Sequence, residues 1–474
     1  MPKCTIDGRE VEFTPGENLI KVAKRAGVDI PVFCYHPGLT VVAQCRMCLV
    51  QVEKMPKLQT ACSTMAGDGM IVHTQADVAV KARAATMEFL LLNHPLDCPI
   101  CDKSGECDLQ DNSYGHGSPY MRGSEERRTY VDVDMGPVIQ KNMNRCIHCT
   151  RCIRFGEEVA GIHEMVAIQR GNNIDITTID GKQLQTEYAG NYSDICPTGS
   201  LTLKDFRFKK RAWMLKKTAT ICEGCSKGCN MEVQHEGNVV YRCVPRENLE
   251  INRYWLCDEG RFNYHYTQDP TRVLEPRAKH SEGWSPISWE DAILGTKEEI
   301  DGQKPLFLVG SDLTLEELKT IQEYVSLHHK GATIQHFGTP GIDSTSKDGA
   351  LDNILKMKSK TSNLNGVEKL GIPPLTSNSV KADTVIVFRG GRAQLPEIQA
   401  KRTIGFGVYL ESEISNFDVI LPGLAFTEKD GTIVNHMGVE QRFKRAVLPR
   451  GKSKSVSEAL MLLAHKKTKV EANA

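Results

Sequence analysis

All seventeen cysteines fall before residue 258, and fifteen of them form four groups whose spacing suits metal ligation. Cys34, Cys45, Cys48 and Cys62 read C-x10-C-x2-C-x13-C, a stretched relative of the plant-type pattern that holds a [2Fe-2S] cluster. The Cys-x2-Cys pair lets two thiolates face one centre from a tight loop whose backbone N–H groups can also reach the sulfurs. A structural zinc ion is the competing occupant. His94, Cys98, Cys101 and Cys107 read H-x3-C-x2-C-x5-C. A histidine near a helix end is more often a satisfied surface or core residue, but three cysteines just after it turn the reading of His94 toward ligation. Neutral imidazole in place of a thiolate removes one negative charge and should raise a cluster's potential, as in Rieske centres.

Cys146, Cys149 and Cys152 form the C-x2-C-x2-C triplet of bacterial ferredoxins, while Gly156 stands where that motif's next spacing would put a fourth cysteine. The fourth ligand must come from elsewhere, and Cys196, followed by Pro197 as a ferredoxin's distant thiolate is, is the candidate. Cys222, Cys225, Cys229 and Cys257 give C-x2-C-x3-C-x27-C, four thiolates for one [4Fe-4S] cube, with zinc as the alternative. Cys4 and Cys243 belong to no group and read as small buried residues.

The elements that must hold these groups are legible in part. Residues 4 to 13 pattern as a hairpin about Asp7-Gly8, followed by an amphipathic stretch with Leu19, Val22, Ala23 and Ala26 that stops at Gly27. Hairpin, helix and cysteine loop together suggest a ferredoxin-like β-grasp. A second helix is expected from Asp77, as N-cap, through Ala82, Ala85, Phe89 and Leu92 until Pro95 ends it, leaving His94 at the helix exit. The basic and aromatic run 206–217, FRFKKRAWMLKK, reads as a solvated linker face without assigned function. From about 275 onward, short apolar strands such as 306–310 and 384–388 alternate with helical segments, as in an α/β domain, before a polar C-terminal tail.

Length and charge bound the rest. A chain of 474 residues suggests about three or four domains, and its 59 basic and 59 acidic residues give no net field toward nucleic acid or anionic membrane. The N-terminus lacks the pattern of a signal peptide and no window approaches the roughly 18 apolar residues of a membrane helix, so a cytosolic chain with reduced thiols is expected. No Rossmann fingerprint or P-loop appears, so no nucleotide-binding motif is expected on this chain.

In this order and with these spacings, the four groups resemble the G-type iron-sulfur subunit family of NADH:quinone oxidoreductase, respiratory complex I, over about residues 1 to 260. The resemblance implies a [2Fe-2S] cluster on the first group, a His-ligated [4Fe-4S] on the second and two further [4Fe-4S] clusters on the third and fourth. It implies that the first three form an electron wire from the NADH/FMN-binding subunit toward the ferredoxin-like subunit on the quinone side, with the fourth off that wire. Residues 417–443, with DVILP, EKDGT and N-x2-G-x2-Q in order, resemble the molybdopterin oxidoreductase fold. The tail's shortness and lack of cysteine imply a degenerate scaffold that binds no molybdopterin. The expected architecture is α/β multidomain: a [2Fe-2S] β-grasp over 1–78, a His/Cys-ligated [4Fe-4S] domain over 79–118, a [4Fe-4S] ferredoxin-like domain over 119–214, a molybdopterin-oxidoreductase-type [4Fe-4S] domain over 215–272 and the truncated α/β domain over 273–474. The chain is expected to carry electrons without a complete active site of its own, peripheral on the cytoplasmic face of the inner membrane through the complex. The competing readings are an electron-transfer subunit of a soluble NAD-linked hydrogenase or formate dehydrogenase, and a zinc-stabilised assembly scaffold.

Overall fold

In the computed structural model, which describes residues 1–124, 126–338 and 349–465, Asp7 and Gly8 both take positive φ, 47° and 78°. That is the geometry a two-residue turn needs to match strand twist, and it joins the strands Lys3–Ile6 and Arg9–Glu12. The Asp7 carboxylate accepts a hydrogen bond from the Thr74 N–H at 2.7 Å, tying the turn to the end of the parallel strand Ile71–His73. Strands Leu49–Val52 and Gln59–Thr60 complete a five-stranded sheet. Helix Leu19–Arg25 is capped by Asn18 and buries Leu19, Val22 and Ala23 against the sheet's core. This is the expected grasp, and the loops that leave it carry the first cysteine group.

The second helix spans Asp77–Leu92, with Ala76 rather than Asp77 at the N-cap. Its buried residues are Ala79, Arg83 and Met87, and Phe89 is 76 % exposed. The apolar pattern misplaces this face because its central residue is an arginine: the Arg83 stem is buried and its guanidinium donates to the Thr74 and Ala79 carbonyls. The helix ends before Pro95 and leaves His94 just past it.

Helix Asp108–His116 follows the second group. Two short antiparallel pairs flank the third group: Ile139–Lys141 with Leu201–Leu203, and Met165–Ile168 with Asp175–Thr178. The basic run is not a free linker. Phe206 is buried, and the Arg211 guanidinium donates to the carbonyls of Cys101 and Pro99, clasping the loop of the second group.

The chain divides into two compact units, Met1–Leu215 and Lys216–Ala474. The second opens with an antiparallel sheet, Lys216–Ile221, Asn230–Glu236 and Val239–Pro245. Its larger sheet has seven strands, five of them parallel, and the expected apolar runs lie in the interior strands Leu306–Gly310 and Ser379–Arg389. Phe307, Val309, Ile386 and Phe388 alternate onto one face, where Leu318, Ile321 and Leu460 pack. Cys4 and Cys243 are buried, as expected. Among the described residues no helix is long and apolar enough to cross a membrane. The polar stretch 466–474 lies outside the described residues.

Glu428 of the EKDGT run makes a fully buried bidentate ion pair with Arg272, at 2.7 and 2.8 Å. Removing one partner strands the other's charge in the core, so Arg272→Met is expected to destabilise this unit by roughly 3–5 kcal/mol. Adding Glu428→Leu should restore much of the loss, which urea unfolding of both variants would measure.

Candidate metal-cluster sites

The first group sits on the loop between helix Leu19–Arg25 and strand Leu49–Val52, with Cys62 just beyond strand Gln59–Thr60. Ala43 and Arg46 take positive φ, which curls the loop around Cys45. The Cys45 sulfur accepts from the Cys34 N–H at 3.4 Å. Contact with the Cys34 thiol and the N–H groups of Cys34, Met47 and Phe33 hold Cys45 down at about 5. The Cys48 thiol is likewise lowered by its contact with Cys62. Those N–H groups stabilise a thiolate, the form that binds metal.

In the second group, His94, Cys98, Cys101 and Cys107 line one cavity with Arg145 and Gly199. Cys98 is exposed, whereas Cys101 and Cys107 are buried. Burial, aided by Arg145, lowers the pKa of His94 to about 4, so the imidazole is neutral at ordinary pH. Its Nδ1 is buried without a hydrogen-bond partner. An orphaned ring nitrogen in a cavity with three thiols has the chemistry of a ligand. Arg145 donates from Nε and Nη2 to Asp97 at 3.0 and 2.8 Å, pinning this loop to the start of the third group.

Cys146, Cys149, Cys152 and Cys196 line a second cavity with Ile147, Pro197 and Thr198. His148 and Thr150 take positive φ and fold the triplet so that the His148 N–H reaches the Cys146 sulfur at 3.3 Å. Helix Gly190–Ile195 delivers Cys196 to the same cavity. Gly156 lies beside Tyr192 and the Ile162 carbonyl instead. Burial, then the charge of neighbouring thiols, pushes Cys146 to about 12 and Cys149 to about 11. Thiols held up in this way ionise together only around a cation.

The fourth group is buried throughout. Gly224 and Gly260 donate backbone N–H groups to the sulfurs of Cys222 and Cys257, each at 3.4 Å, and a Cβ on Gly260 would lie 2.7 Å from the Cys222 sulfur. The N-x2-G-x2-Q run of the tail supports this loop. Gln441 donates to the Gly228 carbonyl at 3.1 Å. The His436 N–H donates to the Ser226 carbonyl at 2.8 Å, and the Ser226 N–H in turn donates to the Ser359 carbonyl at 3.1 Å, so backbone links fix the loop from the tail side.

The structure thus brings each of the four sets of candidate ligands together, while among the described residues no three His, Cys, Asp or Glu groups close on a point that a single ion would fill. What the second and third groups enclose is a cavity. Sequence reasoning misses the residues that position them. Gly199 is one: a Cβ there would collide with the Cys101 sulfur, so the Cys-Pro loop of the third group forms a wall of the second. On the expectation of a [4Fe-4S] cluster there, Gly199→Ala should cost the second site its roughly four irons while sparing the third. Iron analysis with low-temperature EPR would show it, and loss of both signals together would contradict it. Arg145, Arg151, Arg154 and Arg211 carry no motif; closeness to cysteines in sequence could flag the first three, and nothing in the sequence flags Arg211.

Comparison with known families agrees with this layout. Residues 3–77 match a 2Fe-2S iron-sulfur cluster binding domain, 83–122 an NADH-ubiquinone oxidoreductase-G iron-sulfur binding region, and 136–202 the ferredoxin-like domain of NADH-quinone oxidoreductase subunit 3. Residues 215–269 match a molybdopterin oxidoreductase Fe4S4 domain and 398–466 molybdopterin oxidoreductase. The mitochondrial NADH dehydrogenase [ubiquinone] iron-sulfur protein 1 of Solanum tuberosum is 42% identical over 326 residues, 69% of this chain and 44% of that protein. The NADH-ubiquinone oxidoreductase 75 kDa subunit of Reclinomonas americana is 36% identical over 360 residues, 74% of this chain and 52% of that protein. A solved chain of an NAD+-reducing [NiFe]-hydrogenase in the H2-reduced state is 28% identical, covering 44% of this chain and 90% of that one, at a TM-score of 0.39. The chain spans about half the length of the curated relatives it matches.

Proposed function

The chain is a homologue of the G-type iron-sulfur subunit of NADH-quinone oxidoreductase, and from that premise we propose that it passes electrons through iron–sulfur clusters from an NADH/FMN-binding partner toward a ferredoxin-like partner on the quinone side. Cys34, Cys45, Cys48 and Cys62 would hold a [2Fe-2S] cluster. His94 with Cys98, Cys101 and Cys107, Cys146 with Cys149, Cys152 and Cys196, and Cys222 with Cys225, Cys229 and Cys257 would each hold a [4Fe-4S] cluster. When bound, the clusters supply one-electron redox chemistry; the protein supplies their spacing, burial and hydrogen bonds.

The observation that carries this reading is one shared apolar core. Cys34, Cys107 and Cys149, one candidate ligand from each of the first three groups, are buried together with Phe33, Met47, Met87, Leu109 and Ile147. A relay needs its sites close, dry and fixed, and these side chains pack all three sites into one body. The fourth group has its own supports in the other unit, and we place it off the wire.

The tail is a scaffold without molybdopterin in this proposal. In its sheet the strand order reverses between Leu306–Gly310 and Ser379–Arg389, the position where open α/β sheets bind ligands. There the Asp312 carboxylate already accepts the N–H groups of Gly390, Gly391 and Ala393 at 2.8–3.0 Å, the donors an anionic ligand would use.

Freeze-quench EPR after NADH addition to membranes containing the assembled chain tests the wire. The first three clusters are expected to become reduced within a turnover and the fourth to lag. NADH oxidation by the isolated chain would contradict this division of roles.

A further inference from the structure

The first and third sites are joined by a buried cation. Helix Arg151–Phe155, which carries Cys152, places Arg154 at 5 % exposure. Its Nη2 donates to the carbonyl of Cys34 at 2.5 Å and to that of Cys149 at 3.3 Å, while Nη1 donates to the Thr40 carbonyl at 2.5 Å. One guanidinium thus holds the backbone of a ligand of the first site and a ligand of the third. Around it Gln44 donates to the His148 carbonyl at 2.7 Å, and Glu158 accepts the Thr40 N–H at 2.8 Å. Arg151, at the start of the same helix, donates to the Tyr35 carbonyl at 2.7 Å and the Ile195 carbonyl at 3.2 Å, and lies 3.5 Å from Asp108. These three residues adjoin Cys34, Cys196 and Cys107, one ligand of each of the first three groups.

The charge on Arg154 needs a partner. Among the described residues its hydrogen bonds all go to carbonyl oxygens, which solvate a guanidinium but do not neutralise it, and its Nε has no acceptor. A buried cation without a carboxylate calls for an anion nearby. Thiolate-ligated clusters on the first and third groups are anionic and gain one further negative charge on reduction.

We propose that Arg154 is a positioning residue shared by the first and third cluster sites, fixing their separation and raising both reduction potentials through its single charge. This rests on the iron–sulfur reading above. A cation favours the reduced, more negative state of each cluster, so removing it lowers both potentials together, whereas an uninvolved structural arginine would leave them unmoved.

The test is a redox titration, followed by low-temperature EPR, of the anaerobically purified full-length chain and its Arg154→Gln and Arg154→Lys variants. Arg154→Gln is expected to lower the midpoint potentials of the first and third clusters and leave the fourth unchanged. Arg154→Lys, which keeps the charge but loses the fork, is expected to stay near the parent. Unmoved potentials in Arg154→Gln, or a shift in only one of the two clusters, would overturn the proposal. If Arg154→Gln loses a cluster, Arg154→Lys decides: parental potentials support the charge, and lowered potentials or missing clusters overturn it. Absence of cluster signals in the parent would instead overturn the iron–sulfur reading itself.

Discussion

Cys149→Ala is expected to remove about four irons per chain and to reduce NADH-to-quinone electron flow to background. Arg154 ties the third group to the first, and Arg145 ties it to the loop of the second, so in the proposed wire the third cluster is the one with a neighbour on each side. Its loss opens a gap in the wire that no nearby group can bridge, because tunnelling falls steeply with distance. Cys225→Ala provides the contrast. That thiol lies in the other unit, within a loop held by Gln441 and His436, and its loss should weaken folding or assembly while flow per assembled complex persists. Quinone reductase activity normalised to assembled protein separates the two. Equal loss of flow in both variants, with assembly intact, would contradict the division between wire and off-wire sites.

His94→Cys is expected to keep the second cluster and lower its potential. Thiolate in place of imidazole adds one negative charge to the cluster's ligand set. From the gap between His-ligated and all-cysteine clusters, the shift should be on the order of 100 mV or more. The direction follows from the state of the parent residue: burial keeps the His94 ring neutral, with a pKa of about 4. Over the ordinary range of pH the wild-type ring contributes no charge, and only below that value would its protonated form compete with ligation. EPR-monitored titration of the second cluster checks this. An unchanged potential would mean that His94 is not a ligand, and His94→Ala would then leave the cluster's spectrum intact.

The candidate ligands are legible in the sequence because ligation leaves a strict local signature: cysteines two residues apart on tight loops. The same holds for the hairpin, where Asp7-Gly8 encodes a turn with positive φ, and for strands 306–310 and 384–388, whose buried faces demand apolar runs. The inner face of helix Asp77–Leu92 escapes the pattern because Arg83 is a core residue there, its charge met by carbonyls that only the fold supplies. Residues that hold the site loops in place are illegible for the same reason. Arg154 reaches across 120 positions to Cys34, Arg211 across 110 to Cys101, and Gln441 across 213 to Gly228. Gly199 reads as an ordinary turn glycine, and only the fold brings the Cys101 sulfur against it. Run 206–217 reads as a linker because its basic residues suggest a solvated face, while the fold uses the Arg211 guanidinium and the buried Phe206 from it.

Whether these sixteen side chains hold redox-active iron or structural zinc is decided most directly by metal and acid-labile sulfide analysis of the anaerobically purified chain, with low-temperature EPR after reduction. About 14 irons per chain are predicted, with matching signals for one [2Fe-2S] and three [4Fe-4S] clusters. Zinc at about one ion per group, with no labile sulfide and no EPR signal, would contradict the electron-transfer reading.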